Sequence, residues 1–281
     1  MKISLIVATI NRKNELVKFL NSLLSQTYQN FEVVIVDQNI SGYLEPVLQS
    51  YYQKINIIHI TSEPGLAKAR NVGLNIATGE IICFPDDDCW YDNRTLDTAV
   101  SLLADKNLGF VSGRLEDGHQ NDCLKKWPKY RIEINKYNVW KCVISVTLFI
   151  KMEYIRGRVS FDESLGVGSG TPWGSGEETD FTLKLIQICK GMYTPVLLAY
   201  HPQHNPDNST LLLEKLLDKE YSYGCGLGRV VNKNNYNILF KVNIIIRPLL
   251  GWVLYWMLNN RNKSKMYWYN LIGRLHGLSS K

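Results

Sequence analysis

Three aspartates in a row, Asp86-Asp87-Asp88, close the apolar run Ile81-Ile82-Cys83-Phe84-Pro85, and Cys89-Trp90-Tyr91 follows at once. Carboxylates crowded at a strand end repel one another, and each charge raises its neighbour's pKa. A hard divalent cation relieves that repulsion. Mg²⁺ or Mn²⁺ held by one or two carboxylates keeps room for substrate phosphates, so Asp86 and Asp88 form a candidate metal–diphosphate site. Alone, the triplet reads more simply as a solvated acidic turn; its meaning depends on the rest of the chain.

A second acidic group lies in Trp173-Gly174-Ser175-Gly176-Glu177-Glu178-Thr179-Asp180-Phe181. Ser175 and Glu178 fit a capping box, and acids suit a helix N-terminus. A cap needs one glutamate, yet this stretch holds Glu177, Glu178 and Asp180 beside a glycine-rich loop and an indole. One of them could act as a general base, with Trp173 as a stacking platform for a sugar ring. His201 and His204 follow an apolar strand; each is an ordinary surface histidine unless it lends a nitrogen to the same metal. Asp37, at another strand end, could accept from a nucleobase or ribose, although Asp-Gln-Asn is also plain turn chemistry. Arg70, in the helix Gly65 to Gly73, could meet a phosphate in bidentate fashion. Close packing of that helix on a sheet explains Ala69 and Gly73 equally well.

These residues need elements to position them. Ile3 to Ala8 is a continuous apolar run of the buried parallel-strand type. Asn11 can cap a helix reaching Ser25, with Leu16, Phe19, Leu20, Leu23 and Leu24 at helical spacing. Further strands are expected over Phe31–Val36, Ile55–Ile60, Ile81–Pro85, Phe110–Ser112, Val143–Ile150 and Tyr193–Tyr200, with helices over Leu66–Ala77, Arg94–Ala104 and Glu177–Lys190. Gly191 would close the last of these helices. Leu115 to Trp140 has no clear period and reads as an insertion. Strand–helix alternation with short connections implies an α/β fold, a mostly parallel sheet flanked by helices. Ligands collect at the carboxyl ends of such strands, where Thr9, Asp37 and Asp86 to Asp88 all fall.

The 281 residues, 45% apolar and 21% charged, describe a globular chain. Six scattered cysteines without a Cys-x-x-Cys pair speak against a zinc or disulfide scaffold and for a reducing, cytoplasmic compartment. The apolar start Met1 to Val7 is short and runs straight into Asn11-Arg12-Lys13; it reads as a strand, not a secretory signal.

Taken together the pattern resembles the family 2 nucleotide-sugar glycosyltransferases of the GT-A type. The matching pieces are Ser4 to Thr9 with Asn11-Arg12, Ser22 to Tyr28, Phe31 to Asp37, Gly65 to Gly73, Gly79 to Ile82, Phe84 to Asp88 and Gly176 to Phe181. Their order over roughly residues 1–204 makes chance a poor explanation. The resemblance implies a GT-A (Rossmann-like) domain over 1–210, with a donor half over about 1–115 and an acceptor half over about 116–210. It implies donor contacts from Thr9, Asn11, Arg12, Asp37, Arg70, Asp86 and Asp87, with Asp37 at the base and Arg70 at the diphosphate. Asp88 would be the main ligand to Mn²⁺ or Mg²⁺, with Asp86 in support and His201, or alternatively His204, completing the set. Trp173, Gly176 and Glu177 would meet the acceptor. Glu178 would be the base, with Glu177 and Asp180 as alternates, in an inverting transfer from a nucleotide sugar, a UDP-sugar first, to a saccharide or lipid-linked saccharide acceptor. Two departures stand out. Asp37-Gln38-Asn39 replaces the usual Asp-Asp-Gly-Ser, and Glu178 stands where the family places an aspartate.

Beyond about residue 211 the composition changes. Nine of the 32 basic residues and none of the 26 acidic ones follow Glu220, which points to a polyanionic partner surface. Ile238 to Leu258 is apolar, with Trp252, Tyr255 and Trp256 near its end, but Lys241 and Arg247 interrupt it and Pro248 would kink it. Its longest uncharged stretch, Pro248 to Leu258, falls short of the ~20 apolar residues of a span. An interfacial helix at the inner face of the plasma membrane fits better, with Arg261, Lys263 and Lys265 at anionic headgroups. Packing against the catalytic domain or a second subunit, as in a homo-oligomer, is the competing reading. Nucleic-acid binding through the tail would leave both acidic groups without a purpose, so no nucleic acid is expected as partner. A nucleotidyltransferase using Asp86 to Asp88 would not need Glu177 to Asp180.

Overall fold

The computed structural model describes residues 1–203 and 210–280. In chain order the elements are β1 (Ile3–Thr9), α1 (Asn14–Leu24), β2 (Phe31–Asp37), α2 (Glu45–Leu48), β3 (Ile57–Thr61), α3 (Leu66–Ile76), β4 (Ile81–Cys83), β5 (Trp90–Tyr91) and α4 (Thr95–Leu103). They continue with β6 (Leu108–Glu116), β7 (Ile132–Glu133), α5 (Val139–Cys142), β8 (Phe149–Lys151), α6 (Glu177–Leu185), β9 (Lys190–Tyr200), α7 (Thr210–Lys233), α8 (Ile238–Met257) and α9 (Arg261–Ser279). Two compact units result. Among the described residues, the first comprises Met1–Pro64, Lys68–Phe161 and the stretch from Phe181 through β9. The second comprises Gly65–Ala67, Asp162–Asp180 and the three tail helices.

The first unit is built on one mixed sheet in the order β3-β2-β1-β4-β8-β6-β9-β5, with β7 on β9. β1 pairs in parallel with β2 and β4, β2 with β3, and β6 with β9, whereas β8, β5 and β7 run antiparallel to their neighbours. The expected mostly parallel α/β sheet is the one observed. β2 is buried at every position and β1 at all but Ala8, so apolar residues run continuously where both faces are covered. On α1, Leu16, Phe19, Leu20 and Leu23 are fully buried, as their spacing predicts. A Cβ at Gly73 of α3 would lie 2.3 Å from Ile6 Cγ2; this glycine serves close helix–sheet packing, the plainer of the two readings above.

Local chemistry explains the differences from expectation. Asn11 does not cap α1: its φ is 57°, a left-handed turn that asparagine tolerates, and the cap position is Lys13. Of the expected Val143–Ile150 strand only Phe149 and Ile150 pair, in a strand that ends at Lys151; Ser145–Thr147 is a single 3₁₀ turn. Gly191 does not end α6 but sits in β9 opposite Phe110. A Cβ there would come within 2.0 Å of the Phe110 ring. Gly191→Ala is therefore expected to cost about 1–3 kcal/mol of folding stability through overpacking, measured by urea denaturation.

In the second unit α8 is one helix of 20 residues that passes Lys241, Arg247 and Pro248 without interruption. It is long and apolar enough to cross a membrane by length and composition, and only 11% of its most apolar stretch is buried. Asn237 and Asn260 cap α8 and α9 by accepting from the amides of Phe240 and Lys263. Trp252 with Trp268 (4.8 Å) and Tyr255 with Tyr267 (5.4 Å) join the two helices. α7 and α9 approach at backbone level: Cβ atoms on Gly224, Gly228, Gly273 and Gly277 would each lie within 2.4 Å of a carbonyl on the facing helix. Between the helical residues of α7, Gly226 faces elsewhere, its added Cβ meeting the Ser175 carbonyl at 2.2 Å.

Candidate active site

Two clusters emerge, one in each unit. In the first unit the strand ends of β1, β2 and β4 deliver Thr9, Asp37 and the aspartate triplet. Arg12, from the loop after β1, donates through one nitrogen to Asp87 Oδ1 and Asp88 Oδ2, both at 2.7 Å. Arg70, 2% exposed, donates to Asp86 Oδ1 at 2.9 Å and Ser145 Oγ at 3.0 Å. Each guanidinium thus fixes a carboxylate's orientation while adding positive charge beside it. Burial pushes the Asp87 carboxyl up, against the opposing pull of Arg12 and the Thr9 hydroxyl.

Asp88 has the most varied surroundings. Its Oδ1 lies 3.6 Å from His201 Nε2 and 3.8 Å from Cys89 Sγ. One donor atom each from Asp88, Cys89 and His201 lies within 4.8 Å of the others. Nδ1 of His201 is 2.7 Å from the Pro202 carbonyl; donation to that oxygen directs the Nε2 lone pair toward Asp88, the orienting bond usual for a metal-binding imidazole. The carboxylate suits Mn²⁺ or Mg²⁺, and an imidazole nitrogen beside it suits a transition metal such as Mn²⁺ better than Mg²⁺. Burial and the three neighbouring aspartates push the Cys89 thiol well up. Asp86 lies outside this group, against Arg70, and His204 lies outside the described residues.

Asp37, 2% exposed, accepts at Oδ1 from the Asn39 amide (2.9 Å) and Asn39 Nδ2 (2.6 Å), while Oδ2 faces His59 Nε2 at 3.0 Å. Asn11 N–H in turn donates to Asn39 Oδ1 at 2.6 Å, so Asn11 joins the first two strand ends. Asn39 and His59 are thereby part of the same rim. Neither stands out in the sequence, although a histidine inside the apolar run Ile57–Thr61 is a signal that could have been followed.

The second unit holds the other acids. Glu177, 8% exposed, packs against Gly166, where an added Cβ would lie 2.9 Å from its Oε2. Glu178 is half-buried. Asp180 is fully buried and accepts from Lys233 Nζ at 2.9 Å and Asn234 Nδ2 at 3.0 Å. Trp173 meets the His276 ring edge at 5.2 Å, and the Arg229 guanidinium lies over the indole at 5.8 Å, so the tail covers one face. Gly176, at φ 92°, makes the turn into α6, and a Cβ there would strike Val230 at 2.7 Å.

Asp162 opens this segment and also accepts from Lys233, at 2.6 Å. Burial raises its carboxyl, but the bonds from Lys233 and Ser164 prevail and hold it down to about 2. A depressed acid stabilises the fold above its unfolded pKa of about 3.9, and that stability is lost as pH falls through the folded value. Asp162→Asn is expected to cost on the order of 1 kcal/mol at pH 7, a figure discounted for its partial exposure. The gap to the parent protein should close between pH 4 and about 2 in acid denaturation.

The sequence profile described as Glycosyl transferase family 2 matches residues 4–164. An Escherichia coli relative, UDP-Glc:alpha-D-GlcNAc-diphosphoundecaprenol beta-1,3-glucosyltransferase WfgD, is 30% identical over 127 residues, 44% of this chain and 50% of its own. Among solved structures, Staphylococcus aureus TarS 1-349 in complex with UDP-GlcNAc superposes with a TM-score of 0.63 at 17% identity, covering 98% of this chain and 91% of the other. A mannosyltransferase from Pyrobaculum calidifontis, PcManGT with GDP-Man and Mn²⁺, gives 0.62 at 15% identity, covering 99% and 87%. At these identities the structural likeness is one of fold. The chain spans between 37% and 59% of the length of the curated relatives it matches first.

Proposed function

Because this chain belongs to glycosyl transferase family 2 and is a transferase, we propose that it moves a sugar from a nucleoside-diphosphate donor, UDP-linked, to a saccharide carried on a lipid, with inversion and with the help of Mn²⁺ or Mg²⁺. The observation that carries this reading is the approach of Asp88 and His201 beside two buried or half-buried arginine–aspartate pairs. This arrangement supports a cation and diphosphate site over an acidic turn. One relative named for UDP-glucose transfer to a diphosphoundecaprenol-linked sugar, and a fold neighbour holding UDP-GlcNAc, favour the donor and acceptor classes. PcManGT with its Mn²⁺ favours the metal.

The roles follow from the chemistry of each group. Asp88 and His201 would hold the cation, which when bound neutralises charge growing on the departing diphosphate. Arg12 and Arg70 hold the aspartates and place positive charge beside them, Arg12 from a side chain that is 43% exposed. Thr9, Asn11 and Asp37, with Asn39 and His59, form the rim for base and ribose. Among the second-unit acids, Glu177 is packed on Gly166 and Asp180 is held by Lys233 and Asn234. Glu178 is the half-buried one, and it is the base. It takes the proton of the acceptor hydroxyl as that oxygen bonds to the anomeric carbon from the face opposite the breaking carbon–phosphate-oxygen bond, and the electron pair leaves with the nucleoside diphosphate. Trp173 would stack the acceptor sugar on the indole face away from Arg229, beside Gly176.

The partner of the tail follows from its surface. Leu239, Leu250, Trp256 and Met257 on α8 are 63–77% exposed, and Arg261, Lys263 and Lys265 begin α9 with no acid near them in sequence. An apolar face with cations and tryptophan at its tip fits the headgroup boundary of an anionic bilayer, where a lipid-linked acceptor resides. The chain is expected to sediment with vesicles containing anionic phospholipid, and Leu250→Asp with Trp256→Asp to weaken this about tenfold or more. Dimerisation in solution with no vesicle binding would point to a second subunit instead.

The reading as a whole is tested by thermal shift against UDP, GDP, dTDP and CMP, each with Mn²⁺, Mg²⁺ or EDTA. Metal-dependent stabilisation by UDP is expected; no shift with any nucleotide would overturn the proposal.

A further inference from the structure

The segment from Asp162 to Asp180 is a glycine-rich loop in which Gly166, Gly168, Gly170 and Gly176 all have positive φ, between 74° and 92°. Its middle is held by its own hydrogen bonds, Gly166 N–H to Trp173 O at 2.8 Å and Thr171 Oγ1 to Ser164 O at 2.6 Å. What joins its two ends, Asp162 and Asp180, comes from outside the segment. Both ends are anchored by one side chain of the tail. Lys233 Nζ lies 2.6 Å from Asp162 Oδ2 and 2.9 Å from Asp180 Oδ2. Asn234, next along the chain, donates to the other Asp180 oxygen. Asp180 is fully buried, so the ammonium neutralises a charge that water cannot reach. The Asp180 amide donates to Gly176 O at 2.9 Å, which puts the clamped carboxylate in the same helical turn as Glu178.

We propose that Lys233 is a positioning residue for sugar transfer: by clamping Asp162 and Asp180 together it fixes the first turn of α6 and with it the carboxylate of Glu178. The inference rests on the reading of Glu178 as base. The basic tail is then a working part of the acceptor side as well as a surface for lipid. Without the ammonium, the tie between Asp162 and Asp180 is lost and the buried Asp180 carboxylate loses the counter-charge of Lys233, so the turn loosens. That change displaces Glu178, and a misplacement of about 1 Å can lower a rate on the order of 10²-fold.

The test uses the full chain and four variants: Lys233→Met, Lys233→Arg, Asn234→Ala and Glu178→Gln. Hydrolysis of UDP-glucose and UDP-N-acetylglucosamine with Mn²⁺ gives the rate, calorimetry gives the affinity for UDP with Mn²⁺, and hydrogen exchange follows the amides of residues 174–182. Lys233→Met is expected to lower kcat per folded molecule on the order of 10²-fold while leaving UDP affinity within about twofold, because only transition-state geometry has changed. Exchange over residues 176–182 should quicken. Lys233→Arg should recover kcat to within about fivefold, since the charge and both bonds can be kept. Asn234→Ala, expected to lose roughly three- to tenfold, takes its place if Lys233→Met fails to fold. A kcat per folded molecule within about threefold of the parent, or a loss borne by UDP affinity, would overturn the proposal. Failure of the underlying reading looks different: Glu178→Gln would match the parent, or the parent would hydrolyse neither donor. Exchange then decides for the clamp alone, and unchanged exchange in Lys233→Met would overturn it.

Discussion

Asp88→Ala is expected to lower kcat on the order of 10³-fold and to abolish metal-dependent stabilisation by UDP. Asp88 is the one member of the triplet that both accepts from Arg12 and faces His201, so its loss removes a ligand and one of the two carboxylates that hold Arg12. Neighbouring acids do not replace it. Asp86 is engaged with the buried Arg70, and Asp87, 5% exposed, is turned to Arg12. Asp87→Asn should instead act mainly on stability, because it leaves Arg12 with a weaker partner in a buried setting. The decisive comparison is the UDP–Mn²⁺ shift in the parent and in Asp88→Ala. A shift of equal size in both would place the diphosphate elsewhere and remove the assignment of Asp88.

Glu178→Gln is expected to reduce kcat about 10²- to 10⁴-fold with UDP affinity unchanged, the signature of a lost general base. The amide keeps the shape and hydrogen-bonding reach of the carboxylate but cannot take the acceptor's proton. Glu177→Gln should cost far less in rate, since its side chain is packed against Gly166. Asp180→Asn should lower folding stability as well as kcat, because it weakens the buried charge pair through which Lys233 positions the turn. Side-by-side turnover of the three variants separates these roles. If Glu177→Gln shows the greater loss in kcat, the base lies one residue earlier in the turn.

Much of the donor side was legible in the sequence for a physical reason. β1, β2 and β4 are buried on both faces, so their apolar runs end where polar strand-end residues begin, and Thr9, Asp37 and Asp86 mark those ends. α1 declared itself through its buried stripe. Elements of two or three residues, such as β5 and β8, carry no periodicity; pairing with β9, β4 and β6 defines them. Gly191 misled because a helix-ending glycine and a glycine beneath an aromatic ring look alike in one dimension. Side-chain partners were the least readable. Asp37 and His59 are 22 residues apart and meet across adjacent strands, and Lys233 is 53 residues from Asp180. On α8, Lys241, Arg247 and Pro248 break the apolar composition but not the helix.

The way the chain partitions has a consequence for recombining it with its relatives. The segment Asp162–Asp180 belongs to the same compact unit as the tail helices, although the strands before and after it belong to the other. Gly226 has no side chain where Ser175 passes, and Lys233 supplies the counter-charge of Asp180. A tail exchanged alone, cut after β9, would bring a foreign helix against a loop shaped for this one. The inherited module is discontinuous. Chimeras should exchange residues 162–180 together with the tail, and the ones that do are expected to fold where tail-only exchanges fail.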